Sequence, residues 1–276
     1  MDRIEVGSTV RALRGRLRNW WWVGPVSYAV MLSPAKRLLE GSRLARRRIT
    51  LRFRDGRTLR CAINDMQAFV EVFLLDDYEI DGLDGESVRT VVDAGANVGT
   101  ATLWFAERFP RARIYSVEPG PATRLLLEEN VAANRLGDRV VVVGSALGAG
   151  RGVGRFVEGE ASILGRVVGE PAEGSAGGGP AVDVRGLGDL FDDLGLGTVD
   201  VLKVDCEGAE YDILLSAPGS ALRSVRTITA EYHPAPSHDA DEIAARLRGE
   251  GFAVRVQPHP TLPRFGNLVA TRAASG

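Results

Sequence analysis

The chain has 276 residues, 45% of them hydrophobic and 25% charged, and its formal net charge is −2. This composition is typical of a globular protein with a sizeable core. Its two cysteines, Cys61 and Cys206, belong to no CxxC pair, which excludes a disulfide framework and a thiolate metal site. The cysteine usage favours a reducing compartment, and we expect a cytoplasmic protein.

A basic N-terminal arm, residues 1–48, precedes an acidic body. Residues 1–60 hold 15 Lys or Arg and 4 Asp or Glu, a net charge of +11. Residues 61–276 hold 19 Lys or Arg and 32 Asp or Glu, a net charge of −13. The run Asn19–Ala35 is uncharged and begins with three tryptophans, but it is shorter than the ~20 apolar residues that span a membrane. Tryptophans beside arginines are typical of a membrane interface. Two interpretations stay open: the arm packs on the body, or it contacts an anionic membrane peripherally.

A hairpin and a helix are predicted next, over residues 49–86. Two alternating stretches within Ile49–Ile63 flank Asp55-Gly56, a strong hairpin signal. Asp65 is predicted to cap a helix over Met66–Leu75. The acidic, turn-rich residues Asp76–Glu86 are interpreted as a linker or gate. We assign residues 49–86 to the N-terminal part of a catalytic unit whose main domain is residues 87–276.

Strand and helix signals then alternate along the chain. The predicted strands are Thr90–Asp93, Arg113–Val117, Arg139–Val143, Val199–Val204 and Val225–Glu231. The predicted helices are Val98–Phe109, Ala122–Asn134, Glu210–Ser216 and Asp239–Glu250. This alternation predicts an α/β fold, a mostly parallel sheet with helices on both faces. Near the end, Phe252–Val256 and Asn267–Thr271 predict an antiparallel hairpin that closes the sheet.

One stretch, Gly148–Pro180, interrupts the alternation. It is rich in glycine and has few apolar residues, so it is predicted to be a mobile loop over the carboxyl edge of the sheet. Within it, Ala161–Leu164 is a candidate for contact with a substrate or cofactor. The glycine-rich middle is equally well interpreted as a passive surface insertion.

The turn after the first of these strands is the most informative motif. An apolar run ends in Asp93, and Gly95, Asn97 and Gly99 follow at the start of a helix. This layout is typical of a nucleotide-binding crevice. A carboxylate at the strand tip would repel a pyrophosphate at close range and favour a cationic ligand, such as the ammonium and sulfonium of S-adenosylmethionine. The spacing also differs from the GxGxxG of dinucleotide sites.

The next two strand ends add candidate cofactor contacts. Glu118 lies 25 residues after Asp93, where an acid can accept hydrogen bonds from both ribose hydroxyls, in an NAD site as well as in an S-adenosylmethionine site. After the third strand, Ser145 and Ala146 are small enough to let an adenine ring approach the backbone. An ordinary glycine turn is an equally good interpretation there.

Acidic residues follow the last two parallel strands. Asp205, Glu207 and Glu210 repel one another unless Lys203, a metal or a cationic ligand intervenes. Glu210 is interpreted as a helix cap and Asp205 as functional.

The strand after that ends in Glu231 and His233, which we expect beside Asp205. His233 is a candidate general base. Asp205, Glu231 and His233 could alternatively hold a divalent cation, although no dedicated metal spacing is visible.

Together these residues resemble the FkbM family of S-adenosylmethionine-dependent methyltransferases. The motifs that carry the resemblance are Asp93–Gly99, Glu118-Pro119, Glu129–Asn134, Leu202–Glu210 and Glu231. The resemblance covers roughly residues 78–233. It implies a Rossmann-like class I methyltransferase fold, a three-layer sandwich around a seven-stranded sheet with an antiparallel last strand.

For the site, the resemblance implies that Asp93, Gly95, Asn97 and Gly99 shape the methionine pocket. Glu118 would then hold the ribose, while two further acids, Asp205 and Glu231, face the reacting centre. The predicted function is S-adenosylmethionine-dependent O-methylation of a hydroxyl on a sugar, glycan or polyketide-type metabolite. The alternatives are an NAD-dependent oxidoreductase and a catalytically silent binding module. The acidic body disfavours a nucleic-acid partner.

Overall fold

The computed structural model describes residues 46–74, 76–157, 166–168 (backbone only), 179–259, 262 and 264–272. Most of the predicted basic arm and the predicted contact residues Ala161–Leu164 therefore lie outside the described residues. Within the described ranges, no helix is both long and apolar enough to cross a membrane.

The strands and helices follow the order in which the sequence signals alternate. The strands are β1 (Arg48–Arg52), β2 (Thr58–Ala62), β3 (Thr90–Ala94), β4 (Arg113–Val117), β5 (Val140–Val143), β6 (Ala146–Leu147), β7 (Gly152–Val157), β8 (Arg166–Val168), β9 (Ala181–Arg185), β10 (Val199–Val204), β11 (Val225–Tyr232), β12 (Ala253–Pro258) and β13 (Gly266–Thr271). The helices are α1 (Met66–Phe69), α2 (Thr100–Arg108), α3 (Pro121–Ala133), α4 (Leu187–Leu194), α5 (Glu210–Ser216), α6 (Gly219–Arg223) and α7 (Ala240–Gly249).

A seven-stranded sheet forms the centre of the fold, in the order β12-β13-β11-β10-β3-β4-β5. Strands β11, β10, β3, β4 and β5 run parallel, and β13 pairs antiparallel with β11. Strands β3 and β10 are buried along nearly their whole length, as expected for parallel strands covered on both faces. The predicted mostly parallel sheet with an antiparallel last strand is confirmed.

The chain reverses its direction of strand addition between β3 and β10. From β3 it adds β4 and β5 on one side, and it later returns to place β10 and β11 on the other. Ligands of open α/β sheets bind at the carboxyl ends of the strands at such a switch point. Here Lys203 pairs with Asp93 in register, and the Asp205 N–H donates to the Ala94 carbonyl at 3.2 Å. The two main sequence motifs therefore meet at this edge.

Separate apolar clusters cover the two faces of the sheet. One contains the β1–β2 hairpin and residues of α1, α2 and α3, including the fully buried Phe69 and Phe105. The other contains residues of α4, α5, α6 and α7, including Leu190 and Ile213. Helices therefore lie on both faces, which gives the predicted three layers.

The hairpin is held against α3 by two asparagine side chains. The Asn130 amide accepts from the Arg60 N–H at 2.8 Å and donates to the Arg60 carbonyl at 2.8 Å. Asn134 does the same for Thr58, at 2.9 and 2.7 Å. Asn130 also donates to the carbonyl of Val98 at 2.8 Å. The hairpin is thus fixed to the helix that supports the first glycine turn.

A second, four-stranded sheet, in the order β6-β9-β7-β8, corrects the prediction of a loop over Gly148–Pro180. Gly152–Val157 and Arg166–Val168 are strands. The first of them pairs antiparallel with β9, and its Phe156 is buried against Ala146. The glycine-rich sequence hides this pattern, because pairing with a distant strand, rather than local propensity, makes these residues extended.

Two local predictions need correction. Asp65 occupies the predicted N-cap position of α1, but its carboxylate accepts the Ala62 N–H at 2.9 Å, across the 3-10 turn Ile63–Asp65, and makes no cap hydrogen bond to the helix. After α1, Val70–Leu74 continues as a π-helix. The acidic segment that follows is more than a linker, because Tyr78 is buried in the core.

Candidate active site

The glycine turn after β3 brings the tips of β3 and β10 into contact. Gly95 has φ +74°, and a Cβ there would overlap the carbonyl oxygen of Asp205. Gly99 has φ +95°, and its Cβ would lie 2.7 Å from Leu127 on α3. Asn97 also has a positive φ, +50°, as asparagine tolerates better than most residues. The backbone path of this turn therefore depends on these residue types.

An open cavity with about 850 Å³ of empty space, part of it continuous with solvent, lies at this edge of the sheet. The predicted site residues that line it are Gly95, Asn97, Glu118, Ser145, Ala146 and Asp205. Four other predicted site residues, Asp93, Gly99, Glu231 and His233, are not among its lining residues. The structure therefore brings together most of the predicted cofactor contacts.

Asp93 points away from the cavity and is fully buried. Its Oδ2 accepts the Thr102 hydroxyl at 2.7 Å, and its Oδ1 lies 3.2 Å from the Lys203 ammonium. The Thr102 hydroxyl also lies 2.8 Å from that of Ser116. The expectation that the Asp93 carboxylate attracts a cationic ligand directly is corrected: the cation it meets is Lys203.

Lys203 joins the two strand tips through one buried ammonium group. Its Nζ donates to the carbonyls of Ala94 and Gly95 at 3.1 and 2.7 Å, and it lies 3.5 Å from Asp205 Oδ2. Burial acts to lower the pKa of Lys203, but the Asp93 and Asp205 carboxylates raise it above its ordinary value. Lys203 is therefore one cation that offsets the repulsion expected among these acids.

Glu118 lies at the end of β4 with both carboxylate oxygens engaged by the backbone. Oε2 accepts the Asn97 N–H at 3.0 Å, and Oε1 accepts the Gly120 N–H at 2.7 Å. Burial raises the pKa of Glu118 to about 7, although these hydrogen bonds act to lower it. A carboxylate oxygen has room for about two hydrogen bonds, so each still has capacity for a ribose hydroxyl.

Two hydroxyl groups at the cavity are buried without a hydrogen-bond partner in the part of the chain that the structure describes. They are Ser145 Oγ and Thr100 Oγ1. Buried polar groups are nearly always satisfied, so two orphaned hydroxyls lining one cavity indicate a polar ligand. Ser145 was predicted, whereas Thr100 was missed, because a threonine at a helix start carries no distinctive signal.

The loop after β10 is organised by Glu210, which is completely buried. Its carboxylate accepts the N–H groups of Cys206, at 2.6 Å, and Gly208, at 2.9 Å, which both precede α5, so Glu210 fixes the loop and the prediction that it caps the helix is wrong. Glu207 has φ +52° within this loop and lines the cavity. Burial raises the pKa of Glu207 to about 7, while His233 acts to lower it.

His233 is held between two glutamates. Its Nδ1 lies 3.3 Å from Glu210 Oε1, and its Nε2 lies 3.5 Å from Glu207 Oε2. Burial acts to lower the pKa of His233, but these carboxylates raise it to about 9. A group that already holds a proton at neutral pH cannot accept another, so the geometry argues against the predicted role of general base.

The predicted cation ligands do not form the expected set. Asp205, Glu210 and His233 each offer a donor atom within 4.8 Å of the others, and Glu231 does not belong to this group. Both Glu210 oxygens already accept backbone N–H groups, and the raised pKa of His233 keeps its ring protonated at neutral pH. The predicted ligand set of Asp205, Glu231 and His233 is therefore not brought together in the part of the chain that the structure describes.

Tyr78 is a second functional candidate, besides Thr100, that sequence reasoning missed. Its hydroxyl donates to Asp205 Oδ2 at 2.9 Å, and its ring stacks on Phe105 with centroids 5.9 Å apart. It lies in the acidic segment that was interpreted as a linker or gate. The one available signal was an aromatic residue, with Ile80 nearby, among acids that would otherwise be solvated.

The order of the central sheet, its switch point and the glutamate after β4 define a class I methyltransferase fold. The sequence profile described as the methyltransferase FkbM domain matches residues 93–254, more than half of the chain. The chain therefore belongs to the FkbM methyltransferase family, and it is a methyltransferase. This membership decides against the NAD-dependent alternative and implies S-adenosylmethionine as the methyl donor.

Three curated relatives illustrate the similarity. Methyltransferase sdnD of Sordaria araneosa is 30% identical over 226 residues, which cover 70% of this chain and 85% of that protein. The 31-O-demethyl-FK506 methyltransferase FkbM of Streptomyces tacrolimicus is 25% identical over 244 residues, or 76% and 91% of the two chains. The AMB antimetabolite synthetase AmbE of Pseudomonas aeruginosa is 28% identical over 228 residues, which cover 68% of this chain but 11% of that much longer protein.

Proposed function

We propose that this methyltransferase transfers the methyl group to a hydroxyl oxygen of a small molecule or glycan, such as a sugar or a polyketide-type metabolite. The observation that carries the proposal is a carboxylate, Asp205, placed in the cavity at the sheet switch point, with Glu231 ending the neighbouring strand. A base in this position suits an acceptor that must lose a proton. The similarity to the 31-O-demethyl-FK506 methyltransferase FkbM supports transfer to oxygen.

The cavity residues fit the methyl donor by their chemistry. Glu118 would accept hydrogen bonds from the ribose hydroxyls, and the orphaned Ser145 hydroxyl with Ala146 would face the adenine. Gly95 and Asn97 would lie next to the methionine end of S-adenosylmethionine. When bound, S-adenosylmethionine supplies a methyl group activated by its positively charged sulfur.

The chain's own residues have to position the acceptor and remove its proton. A hydroxyl is a poor nucleophile until a base takes this proton, and such assistance contributes ~10²–10⁴-fold to the rate. Burial raises the pKa of Glu231 to about 8, and Asp205 beside it acts in the same direction. Glu231 is therefore mostly protonated at neutral pH. Of the two carboxylates, Asp205 is thus the better candidate for the base that removes the acceptor's proton.

Donor binding is tested by calorimetry with S-adenosylhomocysteine on the full chain. We expect binding to the wild type and about tenfold weaker binding to Glu118→Gln, which loses the charge that accepts the ribose hydroxyls (~1.4 kcal/mol for a charged hydrogen bond). Glu128→Gln is the matched control, because Glu128 is exposed on α3. Absence of binding to the wild type would contradict the role of the cavity.

The acceptor class is tested with methyl-labelled S-adenosylmethionine and a panel of sugars, glycans and polyketide alcohols. Labelled methyl ethers support the proposal. Labelled products from amines or thiols alone would contradict transfer to oxygen. Tight donor binding without product from any acceptor would instead support the silent binding module.

A further inference from the structure

Tyr78 occupies an unusual position between the core and the cavity. It is 6% exposed, lines the cavity, and stacks on Phe105 of α2. The Lys203 ammonium lies 5.6 Å from the centre of its ring, within the range of a cation–π contact. Packing around the ring therefore fixes the position of the hydroxyl.

The Tyr78 hydroxyl and the Lys203 ammonium converge on one oxygen of Asp205. The hydroxyl donates to Oδ2 at 2.9 Å, and Nζ lies 3.5 Å from the same atom. Among the residues that the structure describes, none donates a hydrogen bond to Oδ1 of Asp205. The side chain is 23% exposed and lines the cavity. Because Oδ2 is held by the Tyr78 hydrogen bond and by the ion pair with Lys203, Oδ1 is the oxygen left for a ligand.

We propose that Tyr78 is a positioning residue which, together with Lys203, holds Asp205 so that Oδ1 receives the proton of the acceptor hydroxyl. This inference rests on the proposed O-methylation. The acceptor oxygen forms a bond to the methyl carbon while the carbon–sulfur bond breaks, and that electron pair stays on sulfur, which becomes a neutral thioether. The hydroxyl proton passes to Oδ1 of Asp205 and from there to solvent.

The surrounding charges make this hydroxyl donor important. The titratable groups whose charge interacts with Asp205 are Tyr78, Lys203, Cys206, Glu207, Glu231 and His233. Burial, followed by the charges of Asp205 and Glu231, raises the pKa of Tyr78 well above its ordinary value, so the phenol keeps its proton and remains a donor. Without it, Asp205 would face the glutamates with the ion pair to Lys203 but without this hydrogen bond.

The test is the pH profile of kcat/KM for Tyr78→Phe, measured with saturating S-adenosylmethionine. A hydrogen bond to a charged group is worth roughly tenfold or more, so we expect the acid limb to move about one pH unit higher. At pH values below the acid limb, kcat/KM of Tyr78→Phe should be about tenfold lower than that of the wild type, and at higher pH the two should agree. Donor affinity should stay unchanged, because Tyr78 acts through Asp205.

A matched control is Tyr211→Phe on α5. Tyr211 is also a buried tyrosine, at 3% exposure, and it stacks on His238 away from the cavity. We expect its profile to match that of the wild type. A loss of rate in Tyr78→Phe that is equal at every pH would show a packing role and overturn the inference.

A second readout does not depend on finding the acceptor. Carboxyl-labelled aspartate gives an Asp205 carbon NMR signal, assigned by its loss in Asp205→Asn, whose titration midpoint should be higher in Tyr78→Phe than in the wild type. An unchanged midpoint would overturn the link between Tyr78 and Asp205. If the midpoint moves but no hydroxyl is ever methylated, the link stands and the proposed O-methylation fails.

Discussion

Replacing Lys203 with methionine tests whether one buried ammonium holds the two strand tips together. The substitution keeps an unbranched side chain, one atom shorter, but removes the ammonium group of a residue that is 2% exposed. Two carbonyls, of Ala94 and Gly95, lose a donor, and Asp93 becomes a fully buried carboxylate with no cation beside it. Breaking a buried ion pair from one side costs about 3–5 kcal/mol, and we expect the free energy of unfolding to fall by that amount.

The measurement is urea unfolding followed by circular dichroism, without ligand. Combining Lys203→Met with Asp93→Asn removes the uncompensated charge, so the double variant should be more stable than the two single losses predict, by ~1–3 kcal/mol. Arg111→Met is the control, because its ion pair with Glu86 has a similar length, 3.0 Å, but both side chains are more than 60% exposed. Screening by water should leave that variant nearly as stable as the wild type.

The pH dependence has a defined sign. Because the carboxylates raise the pKa of Lys203 in the folded state, its contribution is fully present below the unfolded pKa, ~10.4, and is lost only as pH rises beyond it. Lys203 itself therefore adds no pH dependence between pH 6 and pH 8, and a smaller loss in Lys203→Met at pH 6 would come from protonation of the uncompensated Asp93 carboxylate. A loss below about 1 kcal/mol, or strictly additive single and double variants, would refute the reasoning.

Three further outcomes are expected. Gly95→Ala should lower the melting temperature far more than Gly56→Ala, since both have positive φ but only the former Cβ meets a backbone carbonyl; equal shifts would contradict this. Because the pKa of His233 is raised to about 9, its protonated ring should stabilise the protein at pH 6.5, and this stabilisation should be lost as pH rises through 9. The free energy of unfolding of His233→Asn should therefore change less over that pH range than that of the wild type. We propose that residues 1–48 contact anionic membranes: their deletion should abolish salt-sensitive sedimentation with anionic vesicles, and unchanged sedimentation would argue for packing on the body.

The central sheet was predictable because its signals are local. Parallel strands covered on both faces are short apolar runs, and Val199–Val204 has the same bounds in sequence and structure. The turn at Gly95 was predictable because its backbone path needs glycine. The second sheet was not, because β7 is extended through pairing with β9, whose partner residues lie 26 positions further along the chain at the nearest register pair (Arg155 with Ala181) and more at the others.

The site was predictable as a set of residues but not as a set of roles. The sequence places Asp93 at a strand tip, yet only the packing of α2 and β10 shows that it faces Thr102 and Lys203 instead of the cavity. The protonation state of His233 could not be predicted from sequence, because it depends on two glutamates that another loop brings beside the ring. The role proposed for Tyr78 depends on a contact with Asp205, a residue 127 positions away in sequence.

Asn130 of α3 and Asn134, which directly follows the helix, bond to the hairpin edge as a neighbouring strand would. Their amides satisfy the donors and acceptors of Thr58 and Arg60 on the edge of β2, so that edge cannot recruit a strand from another molecule. Asn130 is bonded to the glycine turn as well. The amide hydrogens of the hairpin edge and of the glycine turn should thus exchange with solvent in one concerted opening. A ligand bound at the turn should therefore also slow amide exchange in the hairpin.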